Sequence, residues 1–334
     1  MPTINAILWS KMTTVDEFPR TALGDLLLTL ENPAMAEWLQ SVLEELAKAP
    51  ACGYLPGQVA ATEPSVIAAL ALLGHGQWDA AQPVLDYLAR AQQTDGSVGV
   101  RQAEATPAWP TSLAIIAWQQ FDAVKHRERI DLAMKWLSAM HGEKLERSPE
   151  MGHNTQLDGW PWVEGTHSWL EPTAFALLAY RAAGQRTNAR AAEAVRLLID
   201  RQLPDGGCNY GNTIVLGQTL RPHVQPTGIA MLALAGESDP SGRLERSLTW
   251  LQWSLNTRST ATSLSWALHG LYAHGREVPQ AEALLASAYE RVKQHDQSPH
   301  KFALLALAAL GPQSPLLRGD RSSGLSSPPS PPNS

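Results

Sequence analysis

The densest group of chemically useful side chains lies between residues 157 and 172. The group contains three tryptophans, three carboxylates and one histidine: Trp160, Trp162, Trp169, Asp158, Glu164, Glu171 and His167. A carboxyl group that tryptophans shield from water has a raised pKa and can act as a general acid. Aromatic faces can also stabilise a cation that develops on a substrate. The stretch therefore predicts an acid/base centre with aromatic walls.

Glu171 is the first candidate for the catalytic acid, and Glu164, His167 and Asp158 follow it. We expect the substrate to contact four aromatic side chains, those of Trp109, Trp160, Trp162 and Trp169. Trp118 and Trp266 lie in predicted helices and are equally compatible with packing.

A structural role competes with catalysis at each carboxylate. Glu171 and Glu63 both stand directly before a proline at a predicted helix start, where a negative charge interacts favourably with the helix N-terminus. Asp158 precedes Gly159, so it is expected as a turn residue. His223 precedes another predicted helix, in a loop where an isolated histidine more often meets solvent.

Several common kinds of site have no sequence signature in this chain. There is no phosphate-binding glycine loop, no Ser-His-Asp order and no His-x-x-x-His spacing, so we expect no metal and no cofactor. The two cysteines, Cys52 and Cys208, are too few for a disulfide framework and belong to no Cys-x-x-Cys pair, which favours a reducing cytoplasm.

The elements that must position these residues are predicted to be helices. A Pro-Ser or Pro-Thr pair recurs before four Ala/Leu/Ile-rich stretches, at Pro64-Ser65, Pro110-Thr111, Pro172-Thr173 and Pro226-Thr227. Proline fits the first helical turn because its missing N–H has no partner there in any case. Two degenerate copies follow, over residues 259–270 and 300–311.

Stretches with a single apolar stripe alternate with these copies, for example Ala191, Val195 and Leu198. The alternation of fully buried and one-sided helices predicts an all-α fold, either two nested helical rings or an open solenoid. Closed rings are favoured because no stretch resembles a polar terminal cap, which gives an α/α toroid of inner and outer helices with about five to six repeats. We place the toroid at residues 61–312 and a helical extension packed on it at residues 1–60. Residues 313–334, rich in Ser and Pro, are predicted to be a disordered tail.

Two predicted outer helices end in a shared turn sequence, Gln92-Gln93-Thr94-Asp95-Gly96-Ser97 and Gln202-Leu203-Pro204-Asp205-Gly206-Gly207. A looser copy is Gln156-Leu157-Asp158-Gly159-Trp160. With these turns, residues 63–310 resemble the terpenoid cyclase and protein prenyltransferase superfamily, whose toroid repeats carry Gln, Asp-Gly and a closing aromatic residue. The resemblance implies a central cavity that holds an isoprenoid or related lipid, and an isomerase or transferase activity if the protein is an enzyme.

The chain departs from that family at its catalytic motifs. The Asp-x-Asp-Asp acid of squalene-type cyclases is absent, and Asp205 with Cys208 does not match the zinc-binding Asp-x-Cys of prenyltransferases in spacing or place. Val98 and Cys208 stand where the family has its closing aromatic residue, which Trp160 alone keeps. We expect Cys208 to be a small buried apolar residue.

Composition and charge narrow the classes of partner. The 334 residues carry a net charge of −6 with scattered Lys and Arg, which argues against a nucleic-acid partner. The longest apolar runs are too short to span a membrane, although contact with a membrane surface stays open.

Three functions remain open. The first is an isoprenoid-binding or isoprenoid-transforming toroid, and the second is a non-catalytic repeat protein that binds a lipid or a partner peptide. The third is a helical-barrel glycosidase or lyase, in which Glu171 would face Asp158 or Glu164 across a cleft.

Overall fold

Twelve α-helices make up most of the part of the chain that the structure, a computed structural model, describes: residues 33–147 and 149–318. They are α1 (Pro33–Lys48), α2 (Thr62–Gly74), α3 (Trp78–Ala91), α4 (Thr111–Asp122), α5 (Arg127–Ala139), α6 (Leu170–Ala182), α7 (Ala189–Asp200), α8 (Val224–Ala233), α9 (Arg243–Ser254), α10 (Ala261–Ala273), α11 (Ala281–His295) and α12 (Pro299–Ala309). Strands β1 (Ile214–Val215) and β2 (Gln218–Thr219) form a short antiparallel hairpin between α7 and α8.

Six helices form a closed inner ring, as the repeats predict. Helices α2, α4, α6, α8, α10 and α12 each pack against the next, and α12 packs against α2 to complete the circle. The inner helices are buried nearly all round because their residues are small or apolar on every face. The fold is an all-α toroid, and the prediction of its class is confirmed.

The outer helices bury a single stripe against this ring. In α7 the stripe consists of Ala191, Ala194, Leu197 and Leu198. Helix α1 lies in the stretch predicted as an N-terminal extension, and it contacts α11, α12, α2 and α3. These contacts give α1 the position of a sixth outer helix, between α11 and α3. The residues before Pro33 lie outside the described part of the chain.

The Pro-Ser/Thr pairs tie four of the six inner helices to the turns that precede them. The side-chain oxygens of Ser65, Thr111, Thr173 and Thr227 accept hydrogen bonds from the backbone N–H groups of Cys52, Val98, Trp160 and Cys208, at 2.8–3.1 Å. All of these hydroxyl groups are buried. The repeated motif therefore starts the helix and also joins it to the preceding turn through a buried hydrogen bond. We call this hydrogen bond the fastening.

The Asp-Gly turns pack on the backbone of the next outer helix. Gly96 has a φ of +96°, and a Cβ there would lie 2.3 Å from the Leu132 carbonyl oxygen. Gly206 has a φ of +100°, and its Cβ would lie 2.6 Å from the Arg246 oxygen. Both the positive φ and the close approach exclude a side chain, so glycine is required at these turns.

Two aromatic side chains meet in the interior of the ring, where the sequence predicts a cavity for a lipid. The Phe175 ring of α6 reaches the Trp266 ring of α10, with 5.6 Å between ring centroids. Both side chains are buried. The space between these two helices is therefore occupied by side chains, and a lipid-binding central cavity stays a prediction.

The far end of the ring is closed by the segment that follows α12. Residues Gly311–Gln313 and Pro315–Leu317 form two short 3₁₀ helices that contact α10 and α2. Ser314 is fully buried, and its Oγ lies 2.9 Å from Nε2 of His269. The predicted tail starts at residue 313, yet residues 314–317 belong to the packed toroid. Composition alone did not indicate this packing. A few residues of a largely polar stretch can still be buried when they pack against a surface that the helices have already formed. Residues 319–334 lie outside the described part.

No described helix has both the length and the apolar character that crossing a bilayer requires.

Candidate functional site

The N-terminal ends of the inner helices gather at one mouth of the toroid. Glu63, Glu171 and Gln225 occupy the same place in α2, α6 and α8, directly before the proline of the first turn. His300 lies in the first turn of α12. Closure of the ring thus brings four polar side chains from different parts of the sequence to the same end of the toroid.

Glu171 is the most perturbed acid at this mouth. Its side chain is only 6% exposed, and burial, followed by the negative charge of Glu63, raises its pKa to about 7. A hydrogen bond from Gln225 Nε2 to Glu171 Oε1, 3.1 Å long, acts in the opposite direction. The helix N-terminus also favours the charged form, but desolvation is the larger effect. Near neutral pH a large share of Glu171 is therefore protonated and able to donate a proton.

Glu63 is held in place by two aromatic neighbours. The Tyr54 hydroxyl donates a 2.6 Å hydrogen bond to Oε2 of Glu63, and Nε2 of His300 lies 3.7 Å from Oε1. Burial lowers the pKa of His300, so the imidazole is neutral near pH 7. His300 and Tyr54 are both neutral, so neither is a cationic partner for Glu63 in this cluster.

The prediction of Glu171 as a mouth residue found only part of this cluster. Gln225 was recoverable, because Gln225-Pro226-Thr227 aligns with Glu171-Pro172-Thr173 in the repeat. His300 lies in a degenerate copy with no such alignment. Tyr54 precedes the first inner helix, and nothing in its local sequence distinguishes it.

A pocket of about 300 Å³ opens beside the mouth and is walled by tryptophans. Its lining includes Trp109, Trp136, Trp160 and Trp162, with Pro172 of α6. We call it the tryptophan pocket. Of the four tryptophans predicted to contact substrate, three lie here. Trp136, on α5, was missed because it reads as part of an amphipathic helix.

The rings of the tryptophan pocket pack against the helix that carries Glu171, although Glu171 itself does not line the pocket. Trp109 stacks on Phe175, one helical turn after Glu171, with 5.9 Å between ring centroids. Trp162 meets Trp109 edge-on at 4.8 Å and 89°. Trp160 is 2% exposed; its indole N–H donates to the Leu137 carbonyl, and the Arg190 guanidinium lies 4.1 Å from its ring centre. Trp160 is therefore part of the packed wall, whereas Trp109, Trp136 and Trp162 are partly exposed and offer ring surface to a ligand.

Glu164 lines the rim of the tryptophan pocket. Its side chain is exposed and forms no hydrogen bond or ion pair with any described residue. The carboxylate is thus available to a ligand, although it lacks the burial that would make it a strong acid candidate.

Asp158 is occupied by two basic side chains. His141 Nδ1 lies 2.6 Å and an Arg190 nitrogen 3.2 Å from the same Asp158 oxygen. These contacts fasten the loop to α7, and the carboxylate that neighbours Glu171 electrostatically is Glu63. A catalytic role for Asp158 stays a prediction that this geometry does not favour.

His167 lines a different cavity from the tryptophan pocket, and Trp169 lines neither of the two. Their rings pack at 4.4 Å, and burial followed by the charge of Arg201 lowers the pKa of His167. His167 lines a cavity of about 390 Å³ together with His153 and Arg201. His223 packs against Tyr210 with 5.1 Å between ring centroids. None of these contacts brings His167 or Trp169 to Glu171.

Cys208 and Asp205 lie in the tight turn after α7. Cys208 is fully buried, which raises the pKa of its thiol, while Asp205 is exposed. Within residues 33–147 and 149–318, no three His, Cys, Asp or Glu side chains cluster closely enough to hold a metal ion.

Comparisons with known proteins give the fold alone. No family model and no curated protein matches the chain. A bacterial glucoamylase, whose structure is complexed with acarbose, aligns with a TM-score of 0.51 and 11% identity over 86% of this chain and 56% of its own. A Salmonella α2-macroglobulin reacted with methylamine aligns with a TM-score of 0.46 and 16% identity over 83% of this chain and 17% of its own. The chain spans about half of the glucoamylase and less than a fifth of the macroglobulin.

Proposed function

We propose that the protein is an α/α-toroid glycosidase in which Glu171 is the general acid. The observation that carries this proposal is the buried carboxyl of Glu171, with its pKa raised to about 7, beside the second carboxylate Glu63 at the same mouth. Glycosidases that use two carboxyl groups need one that stays protonated and one that stays charged. Burial raises the pKa of Glu171, and Glu63, which accepts a hydrogen bond from the Tyr54 hydroxyl, offers the second carboxyl group.

In the proposed reaction, Glu171 donates its proton to the glycosidic oxygen as the bond to the anomeric carbon breaks. Glu63, held by the Tyr54 hydroxyl, stabilises the developing positive charge on the sugar ring and accepts a proton from the attacking water. Gln225 fixes the orientation of the Glu171 carboxyl through their hydrogen bond. The tryptophan pocket supplies flat apolar surfaces of the kind on which sugar rings stack.

The fold shared with a glucoamylase agrees with this proposal but does not carry it, since identity is only 11%. The isoprenoid function has weaker support. The Phe175 and Trp266 rings occupy part of the ring interior, and a carboxyl group with a pKa of about 7 is far too weak an acid to protonate an alkene.

The proposal is tested with a panel of neutral and amino oligosaccharides, whose cleavage products are detected by mass spectrometry. We expect cleavage of at least one member, at a rate that falls as pH rises through about 7 because Glu171 loses its proton. Glu171→Gln should lower that rate by about 10²-fold or more. The matched control is Glu290→Gln, an exposed outer-helix carboxylate that should leave the rate unchanged.

A folded Glu171→Gln variant with the wild-type rate would overturn the assignment of the acid. Tight binding of an oligosaccharide or a lipid with no cleavage of any panel member would overturn the enzymatic function and favour a binding toroid.

A further inference from the structure

The tryptophan pocket continues into a second, more open cavity. That cavity, about 530 Å³ in volume, shares Asp95, Trp136, Met140 and Glu164 with the tryptophan pocket. We call the two together the acidic cleft. Because they share these walls, one extended ligand can occupy both.

The charges that line the acidic cleft are of one sign. Three carboxylates, Asp95, Glu143 and Glu164, line it, and the described lining residues include no Lys or Arg. The single basic lining side chain, His141, is paired with Asp158. Glu164 and Glu143 are exposed and have no side-chain partner among the described residues. Asp95 accepts hydrogen bonds from the backbone and hydroxyl of Ser97 through Oδ1.

The aromatic walls offer a cation three partly exposed indoles. Trp109 and Trp162 stand perpendicular to each other, and Trp136 adds the third. A ring face attracts a positive charge through its quadrupole, most strongly for Trp. The chain itself uses this attraction, since Arg190 lies on the Trp160 ring.

From these two observations we infer that the acidic cleft receives a positively charged sugar, so that the substrate is an amino-sugar oligomer with free ammonium groups. The inference rests on the proposed function for the sugar and on the cleft for the charge. A neutral sugar would stack on the same rings but leave Glu143 and Glu164 unpaired. An acidic sugar would be repelled by the three carboxylates.

The test compares binding of glucosamine oligomers with binding of the N-acetylated, neutral oligomers of equal length. Binding is followed by tryptophan fluorescence and calorimetry at mildly acidic pH, where the sugar amines are protonated. We expect the glucosamine oligomer to bind about 10-fold more tightly at low salt, and the difference to shrink as salt increases.

Variants separate the charge from the aromatic surface. Glu164→Gln should reduce the preference for the charged oligomer over the neutral one several-fold. Trp162→Leu should weaken both, whereas Trp162→Phe keeps part of the cation preference. Glu290→Gln is the control and should change neither. Equal affinities of wild-type protein for the two oligomers, or a preference that Glu164→Gln does not reduce, would overturn the inference.

Binding is measured on Glu171→Gln as well, so that cleavage does not enter the result. A preference for the charged oligomer without cleavage of any oligosaccharide would contradict the proposed glycosidase function but still support recognition of the ammonium group by the acidic cleft. Cleavage of neutral oligomers alone, with no preference for the charged ones, would sink this inference and leave the proposed function.

Discussion

At the scale of single residues, the mouth of the toroid combines one carboxyl that burial keeps protonated with another that a phenol holds in place. Glu171 and Glu63 have the same position in their repeats, and the sequence assigns both the same structural role at a helix N-terminus. They differ because Glu171 is more deeply enclosed and faces Gln225, whereas Glu63 faces Tyr54 and His300. Side chains from other elements therefore give different surroundings to two acids that have equivalent positions in the repeat.

The raised pKa of Glu171 makes the stability of the fold pH dependent. In the unfolded chain the pKa is near 4.5, and in the folded protein it is about 7. Between these values the native state holds more protons than the unfolded state, so stability falls as pH rises through the window. The difference corresponds to about 3 kcal/mol above pH 7. Glu171→Gln should therefore match the wild type near pH 4.5 and be more stable at about pH 8.

Calorimetric Tm values from about pH 4 to pH 8 check this expectation. Glu63→Gln provides a second variant, since removing the neighbouring charge should lower the Glu171 pKa and shrink the pH dependence. Parallel Tm curves for wild type and Glu171→Gln would show that the pKa of Glu171 is the same in the native and unfolded states, and would contradict the raised pKa.

At the scale of elements, the hydroxyl of each Pro-Ser/Thr pair joins an inner helix to the turn before it. Thr227 receives the Cys208 N–H at 2.8 Å and donates to the His223 carbonyl at 2.6 Å, in a fully buried place. The four repeats share this contact although their turns close with different residues, Cys52, Val98, Trp160 and Cys208. The contact uses only the backbone N–H of the residue in the turn, so it places no requirement on that residue's side chain.

Thr227→Val tests the fastening with nearly unchanged shape. The substitution leaves the Cys208 N–H buried without an acceptor, and we expect a loss of about 1–3 kcal/mol in the free energy of unfolding, measured with urea. Thr257→Val, at an exposed threonine between α9 and α10, is the control and should change stability by less than about 0.5 kcal/mol. Similar stabilities for the two variants would mean that the hydroxyl contributes nothing.

At the scale of the whole molecule, the ring is closed sideways by α12 on α2 and at its far end by residues 311–317. His269 is completely buried in α10, and burial lowers its pKa to about 4. Its Nδ1 donates to the Ser265 carbonyl, which leaves Nε2 to accept from the Ser314 hydroxyl. The end segment therefore completes the hydrogen bonding of the ring interior.

Truncation separates this end segment from the Ser/Pro-rich residues after it. Ending the chain at Leu310 should lower the free energy of unfolding by about 1–3 kcal/mol or more, because His269 loses its buried partner and Pro315 leaves an apolar surface uncovered. Ending it at Arg318 should cost little, since the remaining residues have few large apolar side chains. Urea unfolding of the two truncated proteins measures the difference, and equal stability would show that the segment is dispensable.

The sequence by itself determined the helical class, the inner and outer alternation and the turns. These depend on local rules: proline in a first turn, glycine at positive φ and a 3.6-residue apolar period, all of which act within one repeat. The sequence also indicated four site candidates, because their density and their position before an inner helix are visible along the chain: Glu171, Trp109, Trp160 and Trp162.

The tertiary structure alone decided which of these residues meet. Glu63, His300 and Gln225 join Glu171 only because ring closure brings α2, α12 and α8 to one mouth, across sequence separations that no local pattern encodes. Asp158 and His167 lie within fifteen residues of Glu171 in sequence, yet the loop directs them to an ion pair and to another cavity. Local patterns also do not encode the contact between Phe175 and Trp266 in the ring interior, since the space left there depends on the side-chain volume that all six helices contribute together.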